Sequence, residues 1–445
     1  MKRRKAIRRI QAKGLLGITL LLALLFICAK NINSSKDGKS GSPDSDMDDI
    51  EEVNMEHKSL NRRITNEMSA VPELEGLDKK IKKYIRDWHI KGASLAIVRN
   101  DSLVYAKGYG WADKELEIPM EPGHIMRVAS VSKLITAAGI MVLQDQGKLN
   151  IKDKVFGPEG ILNDEFFNNL TQCDTKFYDL TVEDILRHRS RFYSDPVFRS
   201  IQVQEYLGLD QPPTKEDYFT LVLRNGLRGE PGTATKYSNF GYLVLSEIIE
   251  KVSGMPYETF INKYVMYPAG CYDMHIGGVY YKDKRKNEVR YYTNDGAGKF
   301  VPDFNNPQDT VERCYGGSNV TLLSGAGGWC SSTIELARFV SSINGIDGVH
   351  DIISQDSFEL MTEYIDDNTF SLGWNDTHPT KGWNRTGTLS GTSALIRHYP
   401  DGECWIFVTN TCTYKGPKFP KITDALFTEC RKLYSSKLPY CNLFE

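Results

Sequence analysis

Ser130 and Lys133 stand three residues apart in "VASVSKLITAAG", where an apolar helical pattern begins. A serine hydroxyl is a weak nucleophile at neutral pH. It needs an adjacent base and hydrogen-bond donors for the oxyanion that follows attack. At i and i+3 on a helix the two side chains share a face. The helix N-terminus adds backbone N–H groups and a partial positive charge. That field and desolvation both lower a lysine pKa toward the range of a useful base. Alone, Ser-x-x-Lys recurs by chance, and a solvated helix start explains it as well.

Two further stretches carry matching chemistry. "ATKYSNFGY" sets Tyr237 two residues before Asn239, a phenol able to shuttle a proton beside an amide able to hold a substrate amide. Its bland explanation is a packed ring and a helix cap. "RTGTLSGTSALI" brings Arg385, Thr386 and Gly387 onto one expected strand. Arg385 and Thr386 offer a cation and a hydroxyl to a carboxylate, Gly387 allows close backbone approach, and the Thr388 N–H can face an oxyanion.

The elements that must position these residues follow from periodicity. Leu74, Leu77, Ile81, Ile85 and Trp88 fall at helical spacing. "ASLAIVRND" and "SLVYAKGYG" form β-rich runs around Asn100-Asp101-Ser102, a hairpin signal. Residues 130–146 read as a helix, and 150–320 as helix- and loop-rich. Strand patterns return in "GWNRTGTL", "SALIRHY" and "CWIFVTN", with Pro400-Asp401-Gly402 as a turn. A final amphipathic helix is expected over about 420–434. Strands at both ends around a helical middle imply one sheet assembled from the two termini, with the middle inserted beside it.

Composition sets the outer bounds. The 445 residues carry a formal net charge of −2, with 40% hydrophobic and 25% charged residues, and lack the basic footprint of a nucleic-acid binder. "MKRRKAIRRIQAK" (1–13) has seven basic residues and no acidic one, and a charge-free apolar run occupies 14–29. This order keeps the first residues cytoplasmic and exports the remainder. The apolar run reads either as a membrane anchor or as a cleaved signal, and residues 31–70 read as a polar linker. The folded domain is expected over 72–440. Eight cysteines follow the apolar run, an even number compatible with disulfides or with buried thiols. There is no Cys-x-x-Cys or His-Glu-x-x-His, and the histidines are scattered, so no metal or other cofactor is expected. Gly-x-Ser-x-Gly is absent, which disfavours an α/β-hydrolase. Five Asn-x-Ser/Thr sequons are present, Asn384 among them.

The order and spacing of the three motifs together resemble the class C β-lactamase-like serine hydrolases. That family includes D-alanyl-D-alanine carboxypeptidases, family VIII esterases and LACTB-type proteins. The resemblance runs over about 72–435 and includes "VYAKGYGWAD", "MRVASVSK", "LTVEDILRHRS" and "GTSALIRHYPDG". It implies an α+β fold, an antiparallel sheet with helices on both faces and a helical subdomain over about 150–320. It implies Ser130 as the acylated nucleophile, Lys133 and Tyr237 as the proton-transfer pair, and Asn239 as a substrate contact. Arg385, Thr386 and Gly387 would border the site, with the Ser130 and Thr388 N–H groups as oxyanion hole. The expected partner is a small-molecule or peptide substrate whose amide or ester bond is cleaved. Two departures stand out. Arg385 occupies a Lys or His position, where arginine keeps the charge but exchanges no proton. Arg191 replaces a glycine of "HTSGL"-type text, and neighbouring His188 reads as a structural hydrogen-bonder. These departures motivate the competing expectation, a family member without catalysis that serves as a binding or assembly module.

Overall fold

The structure is a computed structural model describing residues 59–294, 298–346 and 348–445. The basic segment, the apolar run 14–29 and the linker as far as residue 58 lie outside the described residues. Among those described, no helix is long and apolar enough to cross a membrane.

The first long helix, α1 (Glu75–Asp87), carries acids in its first turn and buries Leu77, Ile81, Tyr84 and Ile85 on one stripe. It leads into β1 (Gly92–Arg99) and β2 (Ser102–Asp113), followed by the short β3 (Ile118–Pro119). Asn100 and Asp101 both have positive φ, 45° and 60°, which a tight hairpin requires of its central pair. The next helix, α2 (Ser132–Asp145), is buried on every side from Ser132 to Leu143. Such a helix belongs in the middle of a core. Lys133 is its sole charged residue before Asp145.

The remaining framework consists of α3 (Asn239–Ser253), α4 (Thr333–Ser341), β4 (Asp376–His378), β5 (Gly382–Leu389), β6 (Thr392–His398), β7 (Glu403–Thr409) and α5 (Phe419–Tyr434). The seven strands form one antiparallel sheet in the order β4-β5-β6-β7-β1-β2-β3. The join between the two ends of the chain is β1 on β7, where Leu95 faces Phe407 and Ala96 faces Ile406. The sheet is therefore built from both termini, as the strand pattern implies.

Side chains alternate between two cores, as the strand period demands. Leu95, Ile97, Trp405 and Phe407 pack with residues of α1 and α5 on one face. There Tyr84 stacks on Phe419 at 5.7 Å and its hydroxyl meets Thr423 Oγ1 at 2.9 Å. Ala96, Val98, Ile406 and Val408 join the larger core on the other face, with α2 and α3. That core runs without a break into the middle of the chain.

Two regions differ from the sequence-based expectation. Residues 59–70, expected as linker, are ordered. A helical turn, Leu60–Arg63, and a 3₁₀ turn, Asn66–Ser69, bury Leu60, Ile64 and Ser69. Ser59 and the Asn61 amide donate to Asp273, and Arg63 donates to the Glu445 carbonyl. Two apolar side chains in a polar stretch suffice because long-range polar anchors hold the rest. The middle also contains strands too short for any periodic signal. His275–Ile276, Trp329–Ser331 and Met126–Arg127 form a three-stranded sheet, and Tyr292–Asn294 runs parallel to Thr411–Thr413. All eight cysteines within the described residues are free thiols, six of them buried.

Candidate active site

Ser130 sits in a 3₁₀ turn, Ala129–Val131, that runs directly into α2. Ala129 has φ 51°, a left-handed conformation unfavourable for a residue with a Cβ. The turn is held from below: Val128 N–H donates to the Trp329 carbonyl, and Trp329 N–H donates to Ser132 Oγ. Ser130 itself is half-buried, so its hydroxyl remains reachable.

Strand β5 closes the other side. A Cβ on Gly387 would lie 2.2 Å from the Val128 carbonyl and 3.1 Å from Ser130 N, so only glycine permits this approach. Gly387→Ala should push β5 off the nucleophile turn, and a displacement of about 1 Å in such a site costs on the order of 10²-fold in rate. Steady-state kcat/KM checks this, with thermal melting as a second readout. An unchanged rate would show that the strand's position does not matter to catalysis.

Tyr237 and Asn239 arrive at the N-terminus of α3, capped by Ser238, whose hydroxyl accepts from Gly241 N–H at 3.0 Å. The Tyr237 hydroxyl is 2.8 Å from Ser130 Oγ. Lys133 Nζ is 3.4 Å from Ser130 Oγ, 2.8 Å from Asn239 Oδ1 and 2.5 Å from the Ala326 carbonyl. The sequence-predicted Ser130, Lys133, Tyr237 and Asn239 thus converge.

Burial lowers the Lys133 pKa, and the Arg385 charge lowers it further against the pull of Tyr237. Burial alone would raise Tyr237, but the Lys133 and Arg385 charges outweigh it and hold the phenol below its usual range. A phenol pulled down beside an amine pulled down can exchange a proton at small cost.

Arg385 differs from its sequence-based role. Its side chain is 1% exposed, on the inward face of β5. Nε donates to the Ser130 carbonyl at 2.8 Å, and Nη2 lies 3.4 Å from the Tyr237 hydroxyl. A guanidinium in that position steadies the Ser130 turn and the phenol. Arg385→Gln should raise the Tyr237 pKa, so the rising limb of the kcat/KM–pH profile moves to higher pH. Arg385→Lys, which retains the charge, should move it less. A limb unmoved by both substitutions would remove Arg385 from the proton chemistry.

Thr386 donates its N–H to Asn375 Oδ1 at 3.0 Å, on the β5 edge away from β6. Alternate residues of a strand point their N–H groups to the same edge. Thr388 therefore directs its N–H to that edge as well, beyond the end of β4.

Sequence reasoning missed three parts of the site. Asp195 accepts from Asn239 N–H (2.7 Å), Asn239 Nδ2 (3.2 Å) and Phe240 N–H (3.1 Å). It caps α3 and orients the Asn239 amide so that Oδ1 faces Lys133. Its sole local signal is an Asp-Pro dipeptide, which says nothing of a residue 44 positions away. The Ala326 carbonyl carries no side-chain signature. The Phe370 ring packs edge-on to His188 at 4.7 Å and 5.8 Å from Tyr237.

A beta-lactamase family model matches residues 77–427, most of the chain and all of these residues. The chain belongs to the beta-lactamase family. A relative from Bacillus subtilis (strain 168), named "Putative penicillin-binding protein PbpX", is 25% identical over 81% of this chain and 79% of its own. Two solved structures share the fold. The octameric penicillin-binding protein homologue from Pyrococcus abyssi is 23% identical (TM-score 0.62, covering 80% of this chain and 77% of that one). D-amino acid amidase from Ochrobactrum anthropi SV3 is 18% identical (TM-score 0.63, covering 81% and 99%).

Within this beta-lactamase-family chain, Arg191 retains a left-handed backbone, φ 64°, the conformation in which glycine is at ease. Its substitution keeps the loop's path at the expense of strain. His188 Nδ1 accepts from Ser238 N–H at 3.2 Å, and its ring lies 4.4 Å from that of Tyr237. Burial, with Lys133 and Arg385 nearby, keeps it neutral. It supports the tyrosine from the side.

Proposed function

We propose that this protein is a serine hydrolase that forms an acyl-enzyme on Ser130 and cleaves an amide or ester bond of a small or peptide substrate. The observation that carries the proposal is the placement of Ser130 Oγ 2.8 Å from the Tyr237 hydroxyl and 3.4 Å from Lys133 Nζ. The chemistry follows from those contacts. Tyr237, as phenolate, takes the Ser130 proton while Oγ attacks the substrate carbonyl carbon. The developing oxyanion is received by the Ser130 and Thr388 N–H groups. The proton then passes to the leaving nitrogen or oxygen, which departs and leaves an ester on Oγ. Lys133 stabilises the phenolate between transfers. In the second half the same pair takes a proton from water as the water oxygen attacks the ester carbonyl carbon; the bond to Oγ breaks, the proton passes to Ser130 Oγ, and the acid product leaves.

Arg385 sets the charge against which Tyr237 works, while Asn239, its amide oriented by Asp195, borders the acyl group. The D-amino acid amidase likeness and the penicillin-binding names of relatives favour D-configured amino-acid or peptide derivatives as first substrates to assay. The basic segment followed by the apolar run 14–29 supports an extracytoplasmic, tethered or secreted catalytic domain. The test is to incubate the full chain with a fluorophosphonate and with a fluorescent penicillin and read intact mass. An adduct on Ser130 supports the reading. No adduct from either probe, with no turnover of simple acyl esters, returns the protein to the binding-module alternative.

A further inference from the structure

A second group of reactive side chains lies behind the nucleophile turn and is unused by the mechanism above. In the small three-stranded sheet, Cys330 pairs with Arg127 on one side and with His275 on the other, so their side chains stand on one face. Glu288 reaches the same place from a loop bridged to Ile125. His275, Glu288 and Cys330 are 2%, 3% and 0% exposed. Their ligand atoms all lie within 4.8 Å of one another.

Three features distinguish this group from ordinary polar packing. Its members stand apart: His275 Nε2 is 3.9 Å from one Glu288 oxygen, and Cys330 Sγ is 3.9 Å from the other. Neither is a close hydrogen bond. Donors around a tetrahedral zinc ion, at about 2.0–2.3 Å from the metal, are separated by about 3.3–3.6 Å, so the set closes when the donors draw inward from separations of up to 4.8 Å. Second, His275 Nδ1 lies 2.8 Å from the Asp273 carbonyl. A carbonyl only accepts, so Nδ1 carries a proton and Nε2 is the nitrogen that faces Glu288, the arrangement seen behind ligating histidines. Third, the carboxylate is itself held, by the Tyr291 hydroxyl at 2.7 Å and Arg285 N–H at 3.2 Å. The neighbouring cation, Arg127, is turned to the Cys314 and Gly278 carbonyls and lies over the Tyr291 ring.

We propose that His275, Glu288 and Cys330 form a binding site for a thiophilic divalent cation, zinc in the first instance. An imidazole nitrogen, a carboxylate and a sulfur together suit zinc and disfavour calcium or magnesium, which take oxygen ligands. Binding forms a zinc–sulfur bond and releases the Cys330 proton to solvent, with no change of oxidation state. Three protein donors leave the fourth position to water or to the Tyr291 hydroxyl. The ion would tie the strand at 329–331, the strand at 275–276 and the loop at 285–291 together behind Arg127, three residues before Ser130. Its role is to stiffen the platform of the nucleophile turn.

The test strips the full chain with a chelator, then titrates it separately with zinc, cobalt and magnesium. The expected result is one zinc ion per chain, a raised melting temperature with zinc but not magnesium, and a thiolate-to-cobalt charge-transfer band. Cys330→Ser should lose that band and weaken zinc binding by at least about 10-fold. Should this variant fail to fold, His275→Gln takes its place: it keeps every thiol, so a cobalt band that weakens in it belongs to this cluster and a band unchanged in it does not. Binding without a thiolate band, binding of equal strength in Cys330→Ser, or no zinc-dependent shift in melting would each overturn the site.

Discussion

Ser130→Ala should abolish covalent labelling and lower turnover of an acyl ester by about 10⁵–10⁶-fold, the scale seen when a serine hydrolase loses its nucleophile. The prediction is sharp because the substitution disturbs little else. Ser130 is half-buried, and the oxyanion donors assigned to it and to Thr388 are backbone N–H groups that alanine leaves in place. Stability should therefore fall by no more than about 1–3 kcal/mol, the cost of leaving Tyr237 and Lys133 without the Ser130 Oγ contact. Intact mass after fluorophosphonate treatment, together with a melting curve, separates the outcomes. An adduct that persists in the alanine variant would move the nucleophile elsewhere. Loss of both labelling and fold would implicate the turn, and Ser130→Gly or Ser130→Cys would then resolve it.

Lys133→Met should lower turnover by about 10²–10⁴-fold, the usual contribution of a positioned acid–base group, and should raise the melting temperature at neutral pH. Lys133 is fully buried, no carboxylate is within ion-pair distance among the described residues, and its pKa is pulled down by burial first. A depressed folded pKa means that the unfolded chain binds this proton more tightly. The charged lysine thus destabilises the folded state below its ordinary value of 10.5. That penalty eases as pH rises from the folded pKa toward the unfolded one. Methionine of similar length removes the charge, at the cost of leaving the Ala326 carbonyl and Asn239 Oδ1 without their donor. Asn239 is half-buried and can turn to water, so the desolvation of an ammonium group, several kcal/mol, is set chiefly against the roughly 1–3 kcal/mol of the one acceptor left buried. Calorimetry across pH 6–10 should show the parent gaining stability with pH from this group and the variant lacking that gain. The variant's residual activity should also need higher pH, because Tyr237 loses the charge that lowers its pKa most. A variant both inactive and less stable would mean that the lysine's three hydrogen bonds outweigh its burial.

What could be read from the chain follows from which contacts leave a periodic or type-specific trace. The β1–β2 hairpin declared itself through alternation and Asn-Asp, and β5, β6 and β7 through alternation alone. α2 showed a long apolar run, and Ser130, Lys133, Tyr237 and Asn239, each with a bland explanation alone, were found through the order and spacing of their motifs together. Asp195 and the Ala326 carbonyl had no such trace. One is an ordinary turn acid whose partners lie 44 and 45 residues away. The other is a peptide group. Arg385 was identifiable as a cation on the site strand, but whether it faces solvent or the Ser130 carbonyl depends on strand register and on how closely Gly387 lets β5 approach. His275, Glu288 and Cys330 belong to no spaced motif, because two-residue strands brought them together. Ser59 to Ser69 read as linker because its order comes from Asp273 and Glu445, far along the chain.

The pairing of β1 with β7 also governs when the protein becomes capable of chemistry. Leu95 meets Phe407, so the central pair of the sheet joins residues more than three hundred positions apart. Arg385 and Gly387 can reach Ser130 only once β5 has been laid against the strands that follow it. A chain emerging N-terminus first therefore carries its serine for most of its synthesis with no finished site around it. Closing such distant contacts is slow relative to local structure. Until the last forty or so residues have emerged, Ser130 and Lys133 remain an ordinary helix start, and a chain cut short before β7 carries no completed site.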